Sequence, residues 1–126
     1  MAKILIVDDE EHIRLLYSEE LEDEGYQVVT VSSGFRLLEK IEKEDPDLVV
    51  LDIRLRDYDG LDLLKNIKKN FYKMPVGICT AYDTYNYDMN SIDADFYVVR
   101  SSDLTELKNN ILKTLYDYRQ SSQMKA

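Results

Sequence analysis

One short segment organises this chain: Leu48-Val49-Val50-Leu51-Asp52. Four apolar residues, two of them β-branched, are typical of a buried strand, and a carboxylate stands where that strand ends. An earlier segment has the same design, because Ile4-Leu5-Ile6-Val7 is followed directly by Asp8-Asp9-Glu10. Parallel strands end at a common edge of their sheet, which is where open α/β sheets bind ligands. Carboxylates that meet there repel one another unless a cation neutralises them, so the pattern predicts a metal site.

Composition limits the classes of protein to consider. A chain of 126 residues, 44% of them hydrophobic, is long enough for one domain with a buried core. Its net charge of -9 argues against a surface that binds nucleic acid or anionic membrane. Cys79 is the only cysteine, which excludes an internal disulfide and makes a zinc cluster implausible. The first apolar segment is too short for a signal peptide or a membrane span, so we expect a cytoplasmic protein.

Hydrophobic periodicity alternates between strand and helix along the chain. Strands that alternate with helices form a parallel sheet with helices on both faces, which is an α/β fold. Helical spacing predicts a helix after every strand, and the fourth of these, within residues 83–91, is rich in Asp and Asn and has the weakest pattern. The five strands are predicted at Ile4–Val7, Gln27–Val31, Leu48–Leu51, Val76–Cys79 and Phe96–Val99.

Five features together resemble one family, the response-regulator receiver domains of two-component signalling, or CheY-like superfamily. Each is common alone, but all five occur in the family's order, at or just beyond strand ends. They are Asp8-Asp9, Asp52, Asp59-Gly60, Thr80-Ala81 and the basic Arg100. The resemblance implies a receiver domain over residues 1–119, and the polarity of residues 120–126 predicts a C-terminal tail. It also implies a flavodoxin-like, doubly wound sheet of five parallel strands in the order 2-1-3-4-5, flanked by five helices.

The resemblance implies a chemical role for individual residues. Asp52 would be the nucleophile that accepts a phosphoryl group and forms an acyl phosphate. Thr80 and Arg100 would assist by contacting phosphoryl oxygens. Mg²⁺ is the implied cofactor, because it is a hard cation held by carboxylates, waters and phosphate oxygens. Its implied protein ligands are Asp9, Asp52 and the backbone carbonyl of Arg54, together with Asp8, which would bind directly or through water.

The resemblance also implies a conformational switch. Phosphorylation would draw Thr80 toward the phosphoryl group and Tyr97 inward, changing the face formed by the fourth predicted helix, the fifth strand and the last helix. Arg54 and Tyr82 would flank the phosphoryl group, and their bulk predicts a long-lived phosphorylated form. The implied partners are a sensor histidine kinase or histidine phosphotransfer protein upstream and a protein target on the switching face. We expect a monomer or a phosphorylation-dependent homodimer, with no direct contact to nucleic acid and no insertion into membrane.

Two positions depart from the family pattern. Arg100, followed by Ser101, stands where the family usually has Lys followed by Pro. A forked guanidinium can grip a phosphoryl oxygen, or it can pair with Asp52 and hold the unmodified state. Arg56 takes a loop position where the family often has Pro, which predicts a less rigid loop.

Three functional hypotheses follow. The favoured one is a stand-alone signalling switch that catalyses its own phosphorylation and hydrolysis but has no separate substrate. The second is a receiver-like interaction module that works without phosphorylation, for which Arg100 is the main support. The third is an Mg²⁺-dependent phosphatase with an aspartyl nucleophile. This third class is disfavoured because it calls for a second acid two residues after the nucleophile, where this chain has Arg54.

Overall fold

A computed structural model describes residues 1–81 and 93–124 of the protein. In these ranges the chain forms one sheet from β1 (Lys3–Val7), β2 (Gln27–Val31), β3 (Leu48–Leu51), β4 (Val76–Thr80) and β5 (Phe96–Val99). All neighbouring strands pair in parallel, in the order β2-β1-β3-β4-β5. The predicted parallel sheet and its flavodoxin-like strand order are confirmed.

The described ranges hold four helices rather than the five predicted: α1 (Glu11–Asp23), α2 (Leu37–Glu44), α3 (Gly60–Asn70) and α4 (Thr105–Met124). The remaining predicted helix, within residues 83–91, lies outside the described residues. Helix α4 corresponds to the last predicted helix and continues through Met124, into the segment predicted as a polar tail. Within residues 1–81 and 93–124, every helix is too short or too polar to cross a bilayer.

The core consists of two layers, one on each face of the sheet. Successive strand residues point to opposite faces, and helices cover both, so β3 is apolar throughout and β1 is apolar from Ile4 onward. One layer packs α1 and α4 against the sheet and includes Ile4, Ile6, Val50, Tyr17, Leu21, Leu107 and Ile111. The other packs α2 and α3 and includes Leu5, Val7, Val49, Leu51, Ile41, Leu64 and Ile67.

Sheet register brings the acidic segments together. Val7 is paired with Leu51, so the residues that follow each, Asp8 and Asp52, leave the sheet side by side. The Asp52 amide extends this pairing by donating to the Val7 carbonyl at 3.1 Å. On the other side of β3, the Arg100 amide donates to the Thr80 carbonyl at 2.6 Å. Asp8, Asp52, Thr80 and Arg100 therefore lie along one edge of the sheet.

Asp59 and Gly60 anchor α3 against this edge. The Asp59 carboxylate caps the helix by accepting a hydrogen bond from the Leu61 amide at 2.9 Å. The Gly60 amide donates to the Ile53 carbonyl at 3.0 Å, and a Cβ atom on Gly60 would lie only 2.6 Å from the Asp52 carbonyl oxygen. Only glycine permits this approach of two backbones. The motif therefore sets the path of the loop that follows Asp52.

Candidate functional site

Three carboxylates meet at the carboxyl edge of the sheet. Asp8, Asp9 and Asp52 each offer one oxygen, and these oxygens all lie within 4.8 Å of one another. Asp8 is 2% exposed and Asp52 is 6% exposed, whereas Asp9 is half-buried. Burial of ionised carboxylates is unfavourable unless a cation or hydrogen-bond donors compensate their charge.

Arg100 supplies a cation to this cluster. Its Nη2 lies 2.5 Å from Asp8 Oδ2 and 3.2 Å from Asp52 Oδ2. Its Nη1 lies 2.9 Å from Glu10 Oε2. One forked guanidinium therefore bridges three carboxylates through two separate nitrogens, whereas the ammonium of Lys has a single nitrogen.

Backbone amides hold the other oxygens of the cluster. Asp8 Oδ1 accepts from the Glu10 amide at 2.9 Å, and Asp52 Oδ1 accepts from the Arg54 amide at 3.1 Å. Both are local bonds to an amide two residues further along the chain, which is typical of Asp in turns. These bonds orient each buried carboxylate with its Oδ2 toward Arg100.

Asp9 is oriented by a more distant part of the chain. Its Oδ2 accepts from the Arg56 amide at 2.9 Å. Proline has no amide hydrogen, so the residue that replaces the expected Pro provides a link that Pro could not make. This hydrogen bond ties the loop after β3 to the loop after β1. The prediction of a less rigid loop at Arg56 did not take this stabilising hydrogen bond into account.

Burial and charge act in opposite directions on the ionisation of this cluster. Burial raises the pKa of Asp8 from 3.8 to about 6, although the Glu10 amide and the Arg100 charge lower it. Burial lowers the pKa of Arg100, but the charges of Asp8 and Asp52 raise it by more, so it lies above its ordinary value. Arg100 therefore stays charged at every relevant pH, and Asp8 gains or loses its proton around a pKa of about 6.

The Asp8 shift predicts how stability changes with pH in the metal-free protein. An acid whose pKa is higher in the folded than in the unfolded chain binds more protons when folded, so its stabilising contribution is lost as pH rises. For Asp8 this loss occurs as the pH rises from its unfolded pKa of 3.8 to its folded pKa of about 6. With chelator present, we expect the free energy of unfolding of Asp8→Asn, measured by urea unfolding, to rise relative to that of the unmodified protein by roughly 1 to 2 kcal/mol between about pH 4 and about pH 7. A difference that is constant over this range would contradict the prediction.

The remaining predicted residues occupy different places. Thr80 is fully buried at the end of β4, and Tyr97 is half-buried and packs against the α2 and α3 layer. Arg54 is exposed, but its amide holds Asp52, as described above. Tyr82 lies outside the described residues.

Three residues at this site were not predicted from the sequence: Glu10, Tyr17 and Cys79. Glu10 belongs to the acidic run after β1, and its charge was the available signal for its contact with Arg100. Tyr17 has a buried hydroxyl 3.3 Å from Cys79 Sγ and contributes to the raised pKa of Arg100. In the sequence, Tyr17 fits the apolar stripe of α1 and Cys79 fits a buried strand, so neither carries a sign of this contact.

The donor set fits Mg²⁺. Carboxylate oxygens from Asp8, Asp9 and Asp52 are the hard ligands that this ion prefers, and it is typically held by only one or two carboxylates together with waters. The Oδ2 atoms of Asp8 and Asp52 face the Arg100 guanidinium in this structure. A metal ion that engaged these atoms would compete with Arg100 for them.

Comparison with known families agrees with this geometry. Residues 4–112 match the family described as response regulator receiver domain. The chain belongs to this family. The predicted resemblance is therefore confirmed, and the protein is a receiver domain of the kind found in two-component response regulators, which are signalling switches.

Curated relatives of this receiver differ in length. The chain is 36% identical to sporulation initiation phosphotransferase F of Bacillus subtilis over 115 residues, which cover 90% of this chain and 93% of that protein. It is 44% identical over 81 residues to PhoP, the alkaline phosphatase synthesis transcriptional regulatory protein of the same organism. That match covers 64% of this chain and spans about a third of PhoP, 34% of its length.

A solved receiver structure is similar over nearly the whole chain. TrrA, a response regulator of Thermotoga maritima crystallised with Mg²⁺-BeF, is 41% identical, with a TM-score of 0.83 over 91% of this chain and 99% of TrrA. A crystal structure of the histidine kinase ThkA in complex with TrrA also matches, with 42% identity, a TM-score of 0.82 and coverage of 91% of this chain and 98% of the matched chain.

Proposed function

We propose that this receiver accepts a phosphoryl group on Asp52 in an Mg²⁺-dependent reaction and that the modification switches a protein-binding surface. The observation that carries the proposal is the placement of the Asp52 carboxylate. It is buried, held by the Arg54 amide and flanked by Asp8, Asp9 and Arg100 at the carboxyl edge of the sheet. Such a carboxylate has lost most of its water and is already aligned, which are the requirements for attack on a phosphoryl group.

The reaction uses the two carboxylate oxygens differently. Asp52 Oδ1 accepts from a backbone amide, whereas Oδ2 faces Arg100 Nη2 at 3.2 Å. Oδ2 is therefore the oxygen that we assign to bond formation with phosphorus, while the bond from phosphorus to the donor breaks and the donor keeps the electron pair. Arg100 would supply positive charge to one phosphoryl oxygen, and the Thr80 hydroxyl would donate a hydrogen bond to another. Mg²⁺ bound by Asp8, Asp9, Asp52 and the Arg54 carbonyl would supply the remaining positive charge.

The phosphoryl donor in this proposal is a phosphohistidine on a sensor histidine kinase or a phosphotransfer protein. The ThkA–TrrA complex supports a kinase partner, because TrrA is similar to this chain over most of its length. Thr80 and Tyr97 are the residues whose movement on phosphorylation would change the surface that binds a downstream target. Arg54 and Tyr82 would obstruct the water that hydrolyses the phosphoryl group. The proposed receiver unit covers residues 1–119, in a cytoplasmic monomer or phosphorylation-dependent homodimer.

One observation favours a second function. Arg100 already bridges Asp8 and Asp52, so the unmodified cluster has a counter-ion without metal. A receiver whose Asp52 stays paired with Arg100 would act as an interaction module without phosphorylation. The two functions differ in whether Asp52 can be modified.

Metal removal tests the proposed function. After incubation with acetyl phosphate and Mg²⁺, intact-mass measurement should show a gain of one phosphoryl group, and the gain should vanish when chelator replaces Mg²⁺. The physical reason is that two anions must approach each other, and Arg100 alone offsets only part of their repulsion. Absence of the gain at every Mg²⁺ concentration would overturn the proposal in favour of the phosphorylation-independent module.

A further inference from the structure

We propose that Glu10 is a positioning residue that keeps Arg100 at Asp52 when Mg²⁺ takes over the charge of the aspartates. This inference rests on the proposed function. It concerns the third contact of the guanidinium, from Arg100 Nη1 to Glu10 Oε2 at 2.9 Å. It also provides a reason for arginine, rather than lysine, at position 100.

The two ends of the guanidinium have different partners. Within residues 1–81 and 93–124, the ion pairs of Nη2 are with Asp8 and Asp52, both candidate metal ligands. Nη1 contacts Glu10, which does not belong to the group of carboxylates that could hold a metal. A fork can keep one partner while it exchanges the other, whereas an ammonium group acts as a single point of charge.

Metal binding would otherwise expel Arg100. A divalent cation held by Asp8 and Asp52 would compete with Nη2 for the charge of these carboxylates and would repel the guanidinium, and this repulsion would be strong where water is scarce. The charge of Glu10 opposes that repulsion at Nη1. Arg100 therefore stays beside Asp52, with Nη2 available for a phosphoryl oxygen.

Local structure fixes Glu10 for this role. It precedes the first residue of α1 in an extended conformation, and its amide donates to Asp8 Oδ1 at 2.9 Å. The side chain of Arg100 is 15% exposed and that of Glu10 is 42% exposed, so their contact is partly shielded from solvent. His12 Nε2 lies 3.9 Å from the same Glu10 oxygen, but its side chain is 76% exposed and leaves the contact with Arg100 in place.

The test measures binding of beryllofluoride, a phosphoryl mimic, at saturating Mg²⁺. Titrations followed by tyrosine fluorescence compare the unmodified chain with Glu10→Gln, Arg100→Ala and the double variant. We expect Glu10→Gln to weaken binding about tenfold, which corresponds to the loss of one charge-assisted hydrogen bond. In the Arg100→Ala background the same change should have less than about a twofold effect, because Glu10 acts through Arg100.

Glu11→Gln is the matched control, since Glu11 is the adjacent, exposed acid in the first turn of α1. It removes the same charge and should leave the affinity within about twofold, as expected for an exposed charge. Circular dichroism checks that each variant is folded, and Arg100→Gln replaces Arg100→Ala if the latter is not.

Each outcome has one consequence. Equal losses of affinity for Glu10→Gln in both backgrounds, or no loss in either, would overturn the proposed role of Glu10 and leave the proposed function of the receiver intact. Failure of the unmodified chain to bind beryllofluoride with Mg²⁺ would overturn the proposed function and this inference together.

Discussion

Replacing Asp52 by asparagine is expected to abolish phosphoryl transfer from acetyl phosphate, with no adduct detectable by intact-mass measurement. The amide is not nucleophilic, so no acyl phosphate can form at this position. Its carbonyl oxygen can still accept from the Arg54 amide, and its size matches the buried site. The variant should therefore remain folded, and the loss would be chemical rather than structural.

The matched control is Asp57→Asn. Asp57 is an exposed acid in the loop that follows Asp52, so the change alters net charge equally without entering the cluster. It should leave the rate of modification within about twofold, since exposed charges interact weakly. Persistent modification of the Asp52→Asn variant would place the phosphoacceptor at another residue.

The second large effect is expected when Arg100 is replaced by alanine. Without metal, the free energy of unfolding should fall by about 3 kcal/mol, because removal of one partner leaves buried charges without compensation. The loss has an upper limit, because Asp8 can take up a proton once its counter-ion is gone. Urea unfolding with chelator measures this loss.

Addition of Mg²⁺ should then stabilise Arg100→Ala more than it stabilises the unmodified protein. The variant has lost the cation that competes for Asp8 and Asp52, so it should bind Mg²⁺ more tightly, and ligand binding raises stability through the folded state. Lys108→Ala is the control, since Lys108 pairs with Glu20 and Glu24 at 3.7 and 3.5 Å on the surface. That change should cost less than about 1 kcal/mol, with or without metal. Equal stabilisation of both variants by Mg²⁺ would contradict competition at the cluster.

These two predictions separate the functions of the acidic edge. Asp52 is the proposed acceptor, and its loss removes the chemistry. Arg100 is the internal counter-ion of the carboxylates. Without it, the stability of the protein would depend on an external cation such as Mg²⁺. If both hold, Mg²⁺ and Arg100 share one set of carboxylates, and the receiver adjusts between two ways of neutralising them.

Local patterns were sufficient for much of this protein. Apolar runs such as Leu48–Leu51, with acids at their ends, predicted the strands and the carboxyl edge, because side-chain periodicity records which faces of an element are buried. The family resemblance supplied the strand order, which periodicity does not contain. The convergence of Asp8, Asp9 and Asp52 then follows, since neighbouring parallel strands end together. The helix predicted within 83–91 and the role of Tyr82 remain predictions, because they lie outside the described residues.

Three contacts of the site needed the folded chain. Arg100 and Glu10 are separated by 90 positions, and Tyr17 and Cys79 by 62. Strand order alone brings such residues near one another, but rotamers and the fork of the guanidinium determine which atoms meet. The hydrogen bond from the Arg56 amide to Asp9 left no trace in the sequence, because every residue except proline carries the same backbone donor. Periodicity is a property of neighbours along the chain, whereas the balance of charge at this edge depends on distances between residues that only folding brings together.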